Sequence, residues 1–521
     1  MSATWLKNAV FYEIYPQSFY DTNGDGIGDI NGIIEKLSYI RDLGCNALWI
    51  NPCFDSPFKD AGYDVRDYKK VAPRYGCNND LYRLFGEAHK LGIHVVLDLV
   101  AGHTSEEHPW FRASQKAEEN EYSNRYIWTD FWIKGARNLP YIAGESERSA
   151  AYILNFFKCQ PALNYGFLHP EEEWQLPTDH PDCIATVEAL KDVMRFWLSH
   201  GCDGFRVDMA ASLVKNDDET KSGTRAVWNN IRQMLEAEFP EAAMISEWCN
   251  PRLALRAGYD MDFYLNERGN GYSTLMRDYW NHTDGTDHSY FRKDGGGDIR
   301  PFLEEYLGWY EDTKDAGYIS LITCNHDTLR PSYNLSTEEL KLAYAFLFTM
   351  PGVPFLYYGD EIGMRYLPLP TKEGGYIRTG SRTPMQWDDT KNLGFSEGCP
   401  DSLYLPVDPA EDAPTVRNQA DDPDSLYNTV KALLSLRQSN EALQADAPFS
   451  VVCAEKGKPF AYRRGNLVLA VNPAGTQEAV QLPAVPGRIL YTIGSASTTR
   501  QELILNAQSF AVVSLSESAQ E

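Results

Sequence analysis

Ile93-His-Val-Val-Leu-Asp98-Leu-Val-Ala-Gly-His103 is a largely apolar, β-branched run with Asp98 and His103 towards its far end. A strand covered by helices on one side and by core on the other reads this way, because a parallel sheet has no solvent face. Seven more short apolar runs resemble it, at 9–14, 46–50, 203–207, 243–247, 260–264, 318–322 and 353–357. Helix-length amphipathic segments separate most of them, the pattern of an α/β chain. Eight such units closing on one another predict a (β/α)8 TIM barrel. Barrels of this kind put functional groups at the C-terminal ends of their strands.

The remaining chain falls outside that rhythm. About 100 residues separate the third and fourth runs, far beyond the usual few-residue connection, so the spacing predicts an inserted domain B over 104–165. It is rich in aromatics, including Trp110, Phe111, Tyr126, Trp128, Phe131 and Trp132. The barrel then occupies 1–103 and 166–440, with a Gly-, Pro- and Asp-rich loop over 365–425 before a last helix at 426–438. Over 441–521 alternating segments such as Leu467-Val-Leu-Ala-Val471 predict a C-terminal antiparallel β-sandwich, domain C.

Composition narrows the function. The 521 residues carry 73 Asp and Glu against 48 Lys and Arg, a formal charge of −25, which disfavours nucleic acid as a partner. No stretch approaches the roughly 20 apolar residues of a membrane span, and the start of the chain lacks the features of a secretory leader. The ten cysteines are scattered singly without a CxxC, as buried thiols in a reducing compartment are, and a cytoplasmic location is expected. Neither HExxH nor any other zinc pattern occurs among the ten histidines.

Polar residues recur where the strands end: Asp98 and His103, Arg206 and Asp208 in Gly204-Phe-Arg-Val-Asp208, Glu247 after Ile245-Ser246, and Asn325-His326-Asp327. Any one of them alone has an ordinary reading as a helix cap or a satisfied core group. Three carboxylates meeting at one barrel mouth suit glycoside hydrolysis, in which one stays ionised to attack the anomeric carbon and a second keeps a proton for the leaving oxygen. Arg206, two positions before Asp208 on a strand, shares its face and is expected to keep it ionised. Glu247, between Ser246 and Trp248, is placed to be desolvated.

These segments, with Gln160-Pro-Ala-Leu-Asn164 and Gly352-Val-Pro-Phe-Leu-Tyr-Tyr-Gly-Asp-Glu361, resemble the α-amylase family, glycoside hydrolase family 13, over essentially the whole chain. The resemblance implies Asp208 as nucleophile, Glu247 as acid/base and Asp327 as the third carboxylate. It further implies that Asp98, His103, Arg206, His326 and Arg382 surround the reacting glucose, with Tyr63 stacked on it. The chain departs from the family at Gly102, where an Asn that binds a structural calcium is usual, at Ala211-Ser212 in place of a Lys-His pair, and at Ala162 in place of an Asp.

Asp21-Thr-Asn23-Gly-Asp25-Gly-Ile27-Gly-Asp29 offers oxygens at alternate positions and glycines that let a loop close. Gly32 stands where an EF-hand needs its bidentate Glu, so the loop is no EF-hand. It resembles the metal loop of the oligo-1,6-glucosidase branch, which implies structural Ca²⁺ or Mg²⁺ on Asp21, Asn23, Asp25, Ile27 and Asp29; the other reading is a turn capping the next helix. No organic cofactor is expected.

The same branch pairs an Asp before Gly-Tyr-Asp with an Arg before Arg-Thr-Pro-Met-Gln-Trp to close its pocket; the matching residues are Asp60 and Arg378. The expected function is therefore a retaining exo-α-glucosidase acting on short α-glucosides. Alternatives are an α-glucosyltransferase or isomerase of trehalose or sucrose type, an endo-acting amylase, and a non-catalytic sugar-binding homologue, which the full carboxylate set argues against. Met209, after the nucleophile, matches neither the Val often associated with α-1,6 nor the Ala often associated with α-1,4 activity, leaving linkage open, as is the oligomeric state.

Overall fold

The computed structural model describes residues 3–265, 267–374 and 378–516. The expected domain ends at Met1 and Glu521 lie outside them. Eight parallel strands form the central sheet: β1 (Phe11–Ile14), β2 (Ala47–Ile50), β3 (His94–Val100), β4 (Gly204–Asp208), β5 (Ala243–Ser246), β6 (Met261–Phe263), β7 (Tyr318–Ser320) and β8 (Phe355–Tyr357). They run in the order β7-β6-β5-β4-β3-β2-β1-β8, and a parallel bridge between Ile322 and Phe355 closes the ring. All eight runs named from sequence are strands of this barrel.

The strands are largely apolar because both of their faces are buried. Val95, Val96, Leu97, Phe205 and Val207 are fully enclosed, and Phe11 stacks on Phe355 at 4.3 Å across the β1–β8 pair. Gly204 opens β4 at φ 150°, and a Cβ there would come within 2.2 Å of the Ala243 carbonyl oxygen, so only glycine lets β4 lie this close to β5. Gly352, just before β8, has the same relation to Ile319, at 1.9 Å.

The outer layer comprises α1 (Ile30–Leu43), α2 (Asn78–Lys90), α3 (Pro181–Ser199), α4 (Ser222–Glu238), α5 (Pro251–Arg256), α6 (Arg300–Thr313), α7 (Thr337–Thr349) and α8 (Leu426–Ser439). Their starts follow from local chemistry. The Asp29 side chain accepts from Gly32 N to cap α1, Ser336 and Glu339 form a capping box on α7, and Ser425 caps α8.

After β3 the chain leaves the barrel and builds a small unit around an antiparallel pair, Tyr141–Ala143 with Ala151–Ile153. Phe111, Tyr126, Trp128 and Tyr152 pack edge to face or stacked on one another, whereas Phe131 and Trp132 of the same insertion are exposed. The C-terminal region has a five-stranded and a three-stranded antiparallel sheet over a core that includes Val480, Leu503, Leu505 and Val513. Arg464 from this region donates to Thr349 O at 2.6 Å, tying it to the end of α7.

Candidate active site

A cavity of about 310 Å³ opens beside the C-terminal ends of β4 and β5, and Asp60, Tyr63, His103, Asp208, Glu247, Asp327 and Arg378 all line it. Asp98, Arg206, His326 and Arg382 stand immediately behind and are hydrogen-bonded to that lining. The structure therefore brings together every residue expected to act on sugar. The five residues of the Asp21–Asp29 loop do not line the cavity.

Arg206 is the hub. Its guanidinium lies 2.9 Å from Asp98, 3.3 Å from Asp208 and 2.8 Å from Glu247, with almost no exposure of its own. Arg206 was expected to keep Asp208 ionised; it lies beside Asp208, but its one cation is shared among three carboxylates. Burial and the Glu247 carboxylate raise the Asp208 carboxyl well above its usual range, and Arg206 offsets only part of this.

Met209 follows Asp208 in a left-handed conformation, φ 44° and ψ 44°, unusual for a side chain of this size. The turn aims the Met209 N–H at Glu247 Oε2, 3.0 Å away, and so links the ends of β4 and β5.

Asp327 is held by cations. Arg378 Nη1 donates to its Oδ1 at 2.8 Å and Arg382 Nη2 to the same atom at 2.6 Å. Burial alone would raise the Asp327 carboxyl, but the His326 ring edge beside it and the Arg378 and Arg382 guanidinium cations outweigh this and hold Asp327 well below the ordinary carboxylate range. Asp327 is ionised and fixed. On its other side Arg378 donates through Nη2 to Asp60, whose second oxygen accepts from Gln160 Nε2 at 2.7 Å.

Tyr63 stacks on the His326 ring at 5.4 Å with 14° between planes, and its hydroxyl reaches Asp98 at 3.0 Å. His103 Nε2 bonds the Tyr63 carbonyl oxygen at 3.1 Å; burial pushes its imidazole down to about 4, so it is neutral at pH 7. Behind it stands Asn155, whose Nδ2 lies 3.1 Å from His103 Nδ1, while its Oδ1 accepts from Lys215 at 3.1 Å. A Cβ on Gly102 would come within 2.7 Å of that amide, so Asn155 takes the space a side chain at 102 would need.

Three groups of this site went unread in the sequence: the buried Glu13 on β1 and Asn51 after β2, and the half-buried Asn155 in the insertion. Glu13 lies inside an apolar run and gave no signal beyond being charged there. Gln160 was visible in its motif, though not its contact with Asp60.

The Asp21–Asp29 loop follows β1. Asp21 accepts from the amides of Asn23, Gly24 and Gly26 and from Ser396 Oγ, Asn23 from Asp25 N, Asp25 from Ile27 N, and Asp29 from Thr22 and Gly32. These bonds satisfy the acidic side chains by themselves, and among the described residues no three His, Cys, Asp or Glu converge as a metal cage. The donor set thus does not require an ion, and the case for one rests on the resemblance.

The family model for the α-amylase catalytic domain matches residues 13–446. An oligo-1,6-glucosidase of Parageobacillus thermoglucosidasius is 32% identical, with 85% of each chain covered. A trehalose synthase/amylase of Mycobacterium tuberculosis is 31% identical, covering 90% of this chain and 82% of that one. Among solved structures, an isomaltulose synthase variant of Erwinia rhapontici NX5, in complex with its natural substrate sucrose, superposes with a TM-score of 0.81 at 25% identity, covering 98% of this chain and 99% of the other.

Proposed function

We propose, for a chain that belongs to the α-amylase family, glycoside hydrolase family 13, a retaining, exo-acting α-glucosidase that removes single glucosyl units from short malto- or isomalto-oligosaccharides. It is a glycosidase of that family, and its substrate is a carbohydrate. The observation that carries the exo reading is the Asp60–Arg378–Asp327 chain of hydrogen bonds, which walls one side of the cavity and offers charged groups to the hydroxyls of a terminal glucose.

In this reading the glucosyl ring sits against Tyr63, with His103, His326 and the Asp327–Arg378 pair around its hydroxyls. Asp208 attacks the anomeric carbon while Glu247 protonates the leaving oxygen, giving a β-glucosyl ester on Asp208. Glu247 then takes a proton from water, which attacks the same carbon from the opposite side and restores the α configuration. Arg206, touching both working carboxylates, keeps them oriented through both steps.

A second reading, glucosyl transfer or isomerisation, differs only in what meets the ester. It is favoured by Phe156, Met209, Trp248 and Leu265, which line the cavity along with the reacting groups and would shelter an acceptor sugar from water. Incubation with maltose, isomaltose, sucrose, trehalose and maltotriose separates the two: glucose accumulating from maltose or isomaltose supports hydrolysis, and a rearranged disaccharide supports transfer.

Two further parts of the proposal lie away from the cavity. A structural Ca²⁺ or Mg²⁺ in the Asp21–Asp29 loop would use Asp21, Asn23, Asp25, the Ile27 carbonyl and Asp29, at the cost of some of the amide bonds now made there. A cytoplasmic location agrees with ten free cysteines, several of them buried, and cell fractionation tests it. No helix among the described residues is long and apolar enough to cross a membrane.

A further inference from the structure

Glu13 on β1 is fully buried, and its Oε2 has no hydrogen-bond partner among the described residues. Its Oε1 lies 2.9 Å from His326 Nδ1 and 3.1 Å from Asn51 Nδ2. On the opposite edge of the ring, His326 Nε2 lies 2.7 Å from the Tyr63 hydroxyl and 3.4 Å from Asp327 Oδ2.

Counting protons along this chain constrains it. Tyr63 has one hydroxyl proton, and Asp98 Oδ2 stands 3.0 Å away. Asp98 also receives Trp49 Nε1–H at 3.1 Å and Arg206 Nη1–H at 2.9 Å, donors that make it an acceptor. The Tyr63 proton therefore goes to Asp98, and the Tyr63 oxygen accepts from His326 Nε2–H. Asn51 Nδ2 also lies 3.2 Å from His326 Nδ1, but at the 2.9 Å between Nδ1 and Glu13 Oε1 two bare lone pairs would repel, so one proton remains between those two atoms. A buried carboxylate whose second oxygen meets no donor is costly, whereas a carboxylic acid in the same place leaves only a carbonyl unpaired. Arg206, Asp98, Asp327 and Tyr357 face Glu13 electrostatically, and Arg378 and Arg382 face His326. Burial raises Glu13 well above its ordinary range and lowers His326 well below its own.

We propose that Glu13 is a positioning residue that stays protonated, donates from Oε1 to His326 Nδ1, and so locks the ring as the neutral tautomer with its proton on Nε2. The consequence rests on the glucosidase reading. A neutral Nε2–H donates to a sugar hydroxyl without placing another positive charge beside an anomeric carbon that itself becomes positive in the transition state.

The ring ¹⁵N resonances of histidine-labelled protein, with His326 assigned by its loss in His326→Asn, read the tautomer without any substrate. A wrong substrate assignment therefore leaves this measurement intact. At pH 7 the expected result is a neutral His326 protonated on Nε2, unchanged in Glu13→Gln, whose amide N–H also donates to Nδ1. Glu13→Ala should lower kcat by about 10- to 100-fold with less change in KM, and Glu13→Gln should recover most of that loss. An imidazolium, a ring protonated on Nδ1 alone, or a Glu13→Gln variant as impaired as Glu13→Ala overturns the assignment.

Discussion

Arg378 and Asp60, 318 residues apart in the chain, are hydrogen-bonded in the wall of the cavity, and both are nearly buried, at 8% and 3% exposure. Removing either leaves the other enclosed with less compensation, Arg378 keeping only Asp327 as its carboxylate partner and Asp60 only the Gln160 amide as its side-chain donor. Asp60→Ala or Arg378→Ala should therefore weaken binding of short substrates by about 2 kcal/mol or more, a rise in KM of roughly 30-fold. Steady-state kinetics on maltose and isomaltose check this; variants that bind these sugars as well as wild type remove the pair from the binding site.

Asp208 should form the covalent intermediate. Asp208→Ala is expected to lower kcat by at least about 10³-fold, since the ester cannot form without it. A fluorinated glucosyl fluoride that slows the second step should leave one glucosyl mass on the peptide containing Asp208, read by mass spectrometry. Label on another carboxylate, or near-normal turnover in the variant, contradicts the role.

His108 links pH to stability. It is buried, and its unprotonated Nδ1 accepts from Trp110 N at 3.1 Å at the start of the Pro109–Ser114 helix. Burial, with Arg125 nearby, pushes the imidazole down to about 3, against an ordinary value of 6.5. Between those values the unfolded chain binds a proton that the folded chain refuses, so this contribution is complete above 6.5 and is lost as pH falls. From pH 6.5 to 5 wild type should lose about 2 kcal/mol more than His108→Asn, which keeps a capping side chain. Denaturant melts at both pH values check the difference; equal losses contradict it.

For the Asp21–Asp29 loop, a resident cation predicts a Tm that falls with chelator and recovers with Ca²⁺ or Mg²⁺. At a free concentration of 100 times Kd, the stabilisation would be about 2.7 kcal/mol. Asp21→Ala should abolish the metal response. A chelator-insensitive Tm leaves the loop as the self-bonded turn that its amide contacts describe.

The barrel was legible because each strand is buried on both faces and therefore spells a largely apolar run, and because several of the polar residues in and after those runs lie where they reach the mouth. Asp98, Asp208 and Glu247 could be found that way. Glu13 could not, since it sits within β1 with nothing in the neighbouring residues to separate a site group from a core residue. Asn155 was hidden for another reason: it reaches His103 from the inserted region through a fold in three dimensions that spacing does not encode. The charge balance at Asp208 was misjudged because the strand pattern places Arg206 beside it but does not reveal that Asp98 and Glu247 share the same guanidinium.

The most direct test of the central claim is ¹H NMR of the first product released from maltohexaose, followed from the earliest seconds. A pocket that admits one terminal glucose and works by double displacement through Asp208 predicts glucose as the first small product, appearing as the α-anomer before mutarotation. Maltose or maltotriose appearing before glucose would contradict exo action, and glucose appearing first as the β-anomer would contradict the covalent route.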